Sequence, residues 1–305
     1  MKSNLPKTPF AIMALAQLLS LTAALPPLTG DGRTDDTAAI QARLDSGVSC
    51  VYLPPPASCY LISRTLKIGS NQELHLDRFT VIKLAPKSNC PMIENRGYAS
   101  GSDRRIALTG GIWDMANRDQ FPNPIAHWWK SSKASSLPKR HEYGFFFGMA
   151  MRFSNVEGIS LRGITIRNPT TYGMAFCKTS YFVLDDISFD YTTWNPIPLN
   201  LDGVHFDGGC HHGKVSNLRG TCYDDLVALN ANDGLCAQAE GPITDVDIDG
   251  IYADYCHRGV RLLSTGMPVK RVTIRNIHGN YYTSAIGITH HFRERPRGVF
   301  DDIVI

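Results

Sequence analysis

Apolar residues in this chain alternate with polar ones in short bursts, and the bursts recur. The pattern apolar-x-apolar, two polar or glycine residues, apolar-x-apolar appears as ISLRGITI (Ile159 to Ile166), FVLDDISF (Phe182 to Phe189), VDIDGIYA (Val246 to Ala253) and VTIRNIHG (Val272 to Gly279). KVSNLRG from Lys214 is a degraded copy, and IALTGGIWD and LHLDRFTVIKL are looser relatives nearer the N-terminus. Within the second apolar group, Ile164, Ile187, Leu218, Ile251 and Ile277 stand 23, 31, 33 and 26 residues apart. Each copy carries another short apolar segment downstream: YGMAFC, DGVHFDG, DDLVALN, RGVRLLS and SAIGITH. Alternation with period two over so few residues cannot make an amphipathic helix, so these segments are strands. Strands recurring at such intervals, with no helical pattern between them, predict an all-β fold: a single-stranded parallel β-helix whose coils stack and bury one continuous core. The hairpin dipeptides that a β-sandwich needs are scarce.

Near the N-terminus the period changes. In TGDGRTDDTAAIQARLDSG, Asp35 or Asp36 can cap a helix with Ala39, Ile40, Ala42 and Leu44 on one side and Gly47 at its end. Such a helix would close the open end of the stack. VYLPPPASCYLIS reads as two strands around a proline turn, and the segment between Trp113 and Phe147 lacks the repeat and reads as a long loop excursion. The solenoid domain is therefore placed over 30–305. VFDDIVI reproduces the opening of a coil and then ends, which reads as a stop in mid-coil.

Composition changes this picture little. The 305 residues are 43% hydrophobic and 19% charged, and the net charge of +3 comes from scattered residues, so no nucleic-acid partner is required. Residues 1–24 combine Lys2 and Lys7, an apolar run from Phe10 and small residues around Thr22 and Ala24, the pattern of a secretory signal, although a buried helix fits as well. The run is too short and interrupted to span a bilayer. A secreted or periplasmic location follows if the segment is a signal, a cytoplasmic one if it is not. None of the eight cysteines forms a C-x-x-C pair, so zinc is not expected. Cys50 and Cys59 could close a short loop in an exported chain, and buried free thiols are the other reading.

Candidate chemistry comes from aligning the downstream strands on Met174, Val204, Val227, Val260 and Ile286. Two positions ahead stand Tyr172, Asp202, Asp225, Arg258 and Ser284; one position after stand Ala175, His205, Ala228, Arg261 and Gly287. Superposed coils would gather Asp202, Asp224, Asp225, His205, Arg258 and Arg261 on one outer face. Three carboxylates on two adjacent coils repel one another, which raises at least one pKa. Glycosidic cleavage uses such a set, one carboxyl protonating the leaving oxygen and another activating water. The arginines suit the carboxylate groups of an acidic sugar. Aromatics such as Tyr172, Trp194, Trp128 and Trp129 could stack on sugar rings. DVDIDG from Asp245 superficially resembles a calcium loop but reads as a strand, and the pairs His211-His212 and His290-His291 lack metal-ligand context.

At these residues the chain resembles glycoside hydrolase family 28, the polygalacturonases and their relatives, from TGDGRTDDTAAIQ to about His291. The family's Asn-Thr-Asp-Gly is similar to NLDG, which implies Asn200 for binding and Asp202 for catalysis. Its Asp-Asp pair is similar to Asp224 and Asp225. The resemblance implies a right-handed β-helix, no metal or other cofactor, inversion at the anomeric carbon and a pectin-like polysaccharide. Two motifs depart. Gly-His-Gly becomes HRG, so that Arg258 takes the histidine's column beside His257, and Arg-Ile-Lys would fall at Gly287, Ile288 and Thr289, with Arg261 one coil early. The departures point to a different uronic-acid or rhamnose-containing glycan or to an altered mechanism. The catalytic candidates are Asp202, Asp224 and Asp225, with Asp202 and Asp225 as acid and base. Asn200, His205, His257, Arg258, Arg261 and Tyr172 are the substrate-binding candidates. Two alternatives remain open: a polysaccharide lyase with Arg258 or His257 as base and calcium on the acids, and a non-catalytic glycan-binding or tailspike-like solenoid.

Overall fold

The computed structural model describes residues 25–123, 148–232, 239–290 and 296–305. The expectations for the signal segment, Trp128, Trp129, Cys236 and His291 lie outside the described residues.

The strands wind into one parallel 19-stranded sheet closed on itself. Coil 1 consists of β1 (Cys50–Leu53), β2 (Tyr60–Ile62) and β3 (Leu66–Ile68), and coil 2 of β4 (Gln72–Leu76), β5 (Val81–Leu84) and β6 (Ile93–Asn95). Coil 3 holds β7 (Asp103–Thr109), β8 (Ile112–Asp114) and β9 (Met151–Ser154); coil 4 holds β10 (Val156–Arg162), β11 (Thr165–Arg167) and β12 (Met174–Cys177). Three faces thus rise in parallel, each strand pairing with its counterpart one coil away. In later coils the faces merge. Coil 5 is β13 (Ser180–Asp190) and β14 (Val204–Asp207), coil 6 is β15 (His211–Thr221) and β16 (Asp225–Asn230), and coils 7 and 8 are the single strands β17 (Ile243–Leu263) and β18 (Pro268–Thr289). β19 (Val299–Val304) pairs onto β18.

A strand of 22 residues can circle the core because it bends at residues in the left-handed region. The polar pair inside each repeat is such a bend: Gly163, Asp186, Asn217, Gly250 and Asn276 are superposed and have φ of 64°, 53°, 55°, 86° and 57°. Gly, Asn and Asp tolerate that conformation best. Between bends the markers point inward: Ile187 pairs with Leu218, Leu218 with Ile251 and Ile251 with Ile277. On the third face Leu66, Ile93, Met151, Met174, Val204, Val227 and Val260 form one column, each fully buried. Burying each such side chain contributes about 1.5–3 kcal/mol. Phe153, Phe176, Phe206 and Phe182 stack within the same core at centroid distances of 5.6, 5.2 and 4.7 Å.

Helix α1 (Thr37–Asp45) packs Ala39, Ile40 and Leu44 over the first coil, as the sequence predicts. Its capping differs from the simplest expectation. Asp36 occupies the N-cap position, but its buried carboxylate accepts instead from the backbone N–H of Thr29 (2.7 Å) and Gly30 (3.0 Å). Asp35 accepts from the N–H of Thr37 (2.9 Å) and from its hydroxyl. The two acids divide the work, one holding the helix start and the other tying the preceding loop to it. Cys50 and Cys59 are both free, Cys50 exposed, so no disulfide closes that loop. Among the described residues no helix is long and apolar enough to cross a membrane.

Candidate active site

The third face carries the acids, and its register is the one the alignment predicts. Asp225 pairs with Arg258 and Arg258 with Ser284; Ala175 pairs with His205, His205 with Ala228, Ala228 with Arg261 and Arg261 with Gly287. Backbone bonds link the turns beneath: Gly173 N–H donates to Asp202 O at 2.9 Å and Gly203 N–H to Asp225 O at 3.0 Å. The glycine that follows Asp202 has a steric cause. A Cβ on Gly203 would lie 2.6 Å from Leu226 O and 3.1 Å from the Phe189 ring, so the turn closes only on glycine.

Two linked clusters result. In the first, Asp202 Oδ2 lies 2.6 Å from His205 Nδ1, and His205 Nε2 lies 3.5 Å from Asp207 Oδ1 and 3.2 Å from Asn230 Nδ2. The buried Asn230 Oδ1 has no partner among the described residues. Turning that amide over would bring Oδ1 to Nε2–H and satisfy both groups. Tyr172 stacks flat on His205, with centroids 4.1 Å apart and 8° between planes. In the second cluster, Arg258 Nη1 donates to Asp225 Oδ1 (3.2 Å) and Arg261 Nη1 to Asp225 Oδ2 (3.3 Å). Arg261 Nε donates to Thr289 Oγ1 (3.0 Å), and His257 Nδ1 lies 3.1 Å from Asp224 Oδ1.

Burial revises what these residues can do. The alignment places both flanking columns on an outer face, yet the side chains of Asp202 and His205 are only 3% and 6% exposed and that of Asp225 is 0% exposed. Tyr172 covers the first pair and two guanidinium groups engage the second. Tyr172 and His205 therefore hold Asp202 in place and offer no free face to a sugar, contrary to the substrate-binding expectation. Asp224, at 17%, is the most accessible of the three acids, with His257 beside it at 25%. Asn200 is half-buried in a left-handed turn (φ 50°) ahead of Asp202.

Burial is the largest influence on Asp202 and pushes its carboxyl up to about 7; the nearby charge of Asp224 adds to the rise, and the bond to His205 opposes it. Burial alone would lower His205, but its bonds to Asp202 and Asp207 outweigh that and raise it to about 10. Asp225 is also raised, by burial first and then by Asp224, against the pull of Arg261 and Arg258.

The departure at Gly287 has a structural partner. A Cβ there would lie 2.5 Å from Arg258 Cδ and 2.7 Å from its Nε. Arg258 thus fills the space over coil 8 that any side chain at 287 would need. Asp224, Asp225 and His257 present ligand atoms within 4.8 Å of one another, a set that could hold a cation. Arg258 and Arg261 already bring two positive charges to Asp225, so a metal ion there would meet repulsion. Asp245, Asp247 and Asp249 lie in β17, with Arg271 on Asp245 and Arg275 on the other two, in keeping with a strand rather than a calcium loop. Two surface clefts of about 460 and 470 Å³ are lined by none of Asp202, Asp224, Asp225 or the residues around them.

Sequence reasoning missed Asp207, Asn230 and Tyr191. The Tyr191 hydroxyl donates to Asp202 O (3.0 Å) and lies where a Cβ on Gly173 would be. The coil register could have found Asp207 and Asn230, which pair with each other, but carries no signal for Tyr191.

No protein-family model matches the chain, and no curated protein matches it in sequence. Solved structures do match. A family 28 exopolygalacturonase of Yersinia enterocolitica aligns at 19% identity and TM-score 0.62 over 84% of this chain, which spans only 54% of that enzyme. The endo-xylogalacturonan hydrolase of Aspergillus tubingensis aligns at 17% identity and TM-score 0.63, covering 91% of this chain and 71% of the other. PfbA, a surface adhesin of Streptococcus pneumoniae, aligns at 14% identity and TM-score 0.60, covering 91% and 76%. This chain shares with all three the parallel β-helix fold.

Proposed function

We propose that the chain is a glycoside hydrolase that cleaves a pectin-type or other acidic polysaccharide, in a secreted or periplasmic setting. One observation carries this reading: two successive coils bring Asp202, Asp224 and Asp225 together, and the Asp202 carboxyl is raised to about 7. A carboxyl protonated near neutrality beside an ionised one can perform both halves of hydrolysis. Asp202 gives its proton to the glycosidic oxygen as the bond from C1 to that oxygen breaks. Asp224, the accessible acid, takes a proton from the water whose oxygen bonds to C1, and the outcome is inversion. Asp225, held by Arg258 and Arg261, positions the pair and sets their field. His257 orients Asp224, and Asn200 lies at the entrance to Asp202.

Asp202→Asn and Asp224→Asn should each lower reducing-end release by about 10²- to 10⁴-fold. Full activity in Asp202→Asn would reject the assignment. An unsaturated, ultraviolet-absorbing product that disappears with chelator would instead establish a lyase. The non-catalytic glycan-binding reading draws on the complete engagement of Asp225 by two arginines and on the likeness to an adhesin; glycan binding without turnover on a pectic panel would favour it.

A further inference from the structure

We propose that a ramp of exposed aromatic rings beside Asp224 is a binding platform for the uncharged faces of a sugar chain, so that the polymer at this site carries neutral pyranose residues. The location rests on the hydrolase reading; the binding does not.

The ramp is built from four consecutive coils. Trp194 follows β13, Tyr223 lies between β15 and β16, and Tyr255 and Tyr282 lie in β17 and β18. Their rings touch in sequence: Trp194 meets Tyr223 edge-on at 5.1 Å, Tyr223 meets Tyr255 at 6.3 Å, and Tyr255 stacks on Tyr282 at 5.3 Å with 29° between planes. Tyr282 also stacks on His257 at 4.9 Å and 23°, and His257 holds Asp224. The strip therefore ends beside the most accessible of the three candidate acids.

Three of these rings stand outside the core. Tyr255 and Tyr282 are 47% and 51% exposed and Trp194 is 39% exposed, with Tyr223 half-buried against the core between them, whereas the inward Val227, Val260, Val272 and Ile274 of the same coils are buried. Exposed aromatics joined in a row by ring contacts mark an interaction surface. Coil rise sets one ring about every 4.8 Å, a spacing suited to an extended chain laid along the axis. The Tyr282 hydroxyl donates to Tyr223 O at 3.1 Å, which fixes its plane. Flat, amphipathic rings recognise partners that are apolar on one face and hydroxylated at the rim, as a pyranose is. A uronate lying on these rings would need a cation beside them, and among the described residues the two arginines of the site lie on Asp225 instead. The rings and the charge pattern thus favour a neutral sugar face here.

The test is calorimetric binding of β-1,4-galacto-oligosaccharides and xylo-oligosaccharides, with oligogalacturonate as the acidic comparator, at low and high salt. The full chain should bind a neutral oligomer with little salt dependence. Tyr255→Ala and Tyr282→Ala should each weaken that binding about tenfold, or about 1.4 kcal/mol. Tyr255→Phe and Tyr282→Phe should stay within about twofold, because the ring and not the hydroxyl makes the contact. Unchanged affinity in both alanine variants, absence of neutral binding, or binding confined to oligogalacturonate would overturn the proposal. Turnover is measured in parallel. Ring-dependent binding without turnover keeps the platform and ends the hydrolase reading, while turnover with ring-independent binding does the reverse.

Discussion

Replacing Arg258 by methionine tests whether Asp225 is ionised and held by its two arginines. Asp225 is fully buried, and its oxygens meet Arg258 and Arg261 at 3.2 and 3.3 Å. Removing one partner of a buried ion pair costs about 3–5 kcal/mol when the remaining charge is left alone. Here a second guanidinium stays, and both contacts lie at the long end of the hydrogen-bond range, so Arg258→Met or Arg261→Met should each cost about 2 kcal/mol. Methionine keeps most of the aliphatic stem, which limits any cavity. The double variant strands the carboxylate, and its loss should exceed the sum of the singles by about 1 kcal/mol or more. Adding Asp225→Leu to the double variant should recover stability, because an apolar group of similar volume no longer needs a counter-charge. The assay is urea unfolding at neutral pH, read as a shift of midpoint at unchanged slope. A single arginine variant within about 0.5 kcal/mol of the parent would refute the reasoning, because Asp225 would then not depend on the pair.

Stability should also report the pair of Asp202 and His205. His205 is raised from 6.5 to about 10, so the stability it contributes is fully present below 6.5 and is lost as pH rises through 10. Asp202, raised from 3.8 to about 7, has the same sign at lower pH: its contribution is lost as pH rises from 3.8 through 7. The unfolding midpoint should therefore fall more steeply between pH 6.5 and 10 in the parent than in His205→Gln, and parallel slopes would contradict this. In the core, Gly213→Ala would bring a Cβ to 1.9 Å from the buried Phe182 ring and should cost about 1–3 kcal/mol. Phe182→Leu in the same chain should recover part of the loss, and a neutral Gly213→Ala would show that the ring moves freely.

What could be read from the sequence was whatever one coil states about itself. The bends at Gly163, Asp186, Asn217, Gly250 and Asn276 use residues suited to positive φ, so the repeat announces its own corners. A second superposed bend passes through Asn71, Arg105, Gly158, Tyr181, His212, Asp245, Arg271 and Asp302 at φ 61°, 52°, 79°, 53°, 56°, 61°, 51° and 54°. Arginine and tyrosine carry no local signal for that conformation; the ladder above and below imposes it. The candidate site divides in the same way. Columns of acids follow from register, and register follows from the apolar markers. Which column meets solvent does not, because Tyr172 over His205 and Arg258 over Gly287 are contacts between coils about 30 residues apart. Of the aromatic ramp only Trp194 stood out in the sequence as a ring for sugar, since Tyr223, Tyr255 and Tyr282 are isolated residues until the coils superpose. A solenoid therefore shows in its sequence which residues share a column. The reactivity of a column depends on what its neighbours lay across it, and here they bury Asp225 under two guanidinium groups, leave Asp202 a narrow 3% exposure beside His205, and set Asp224 next to the rings through His257.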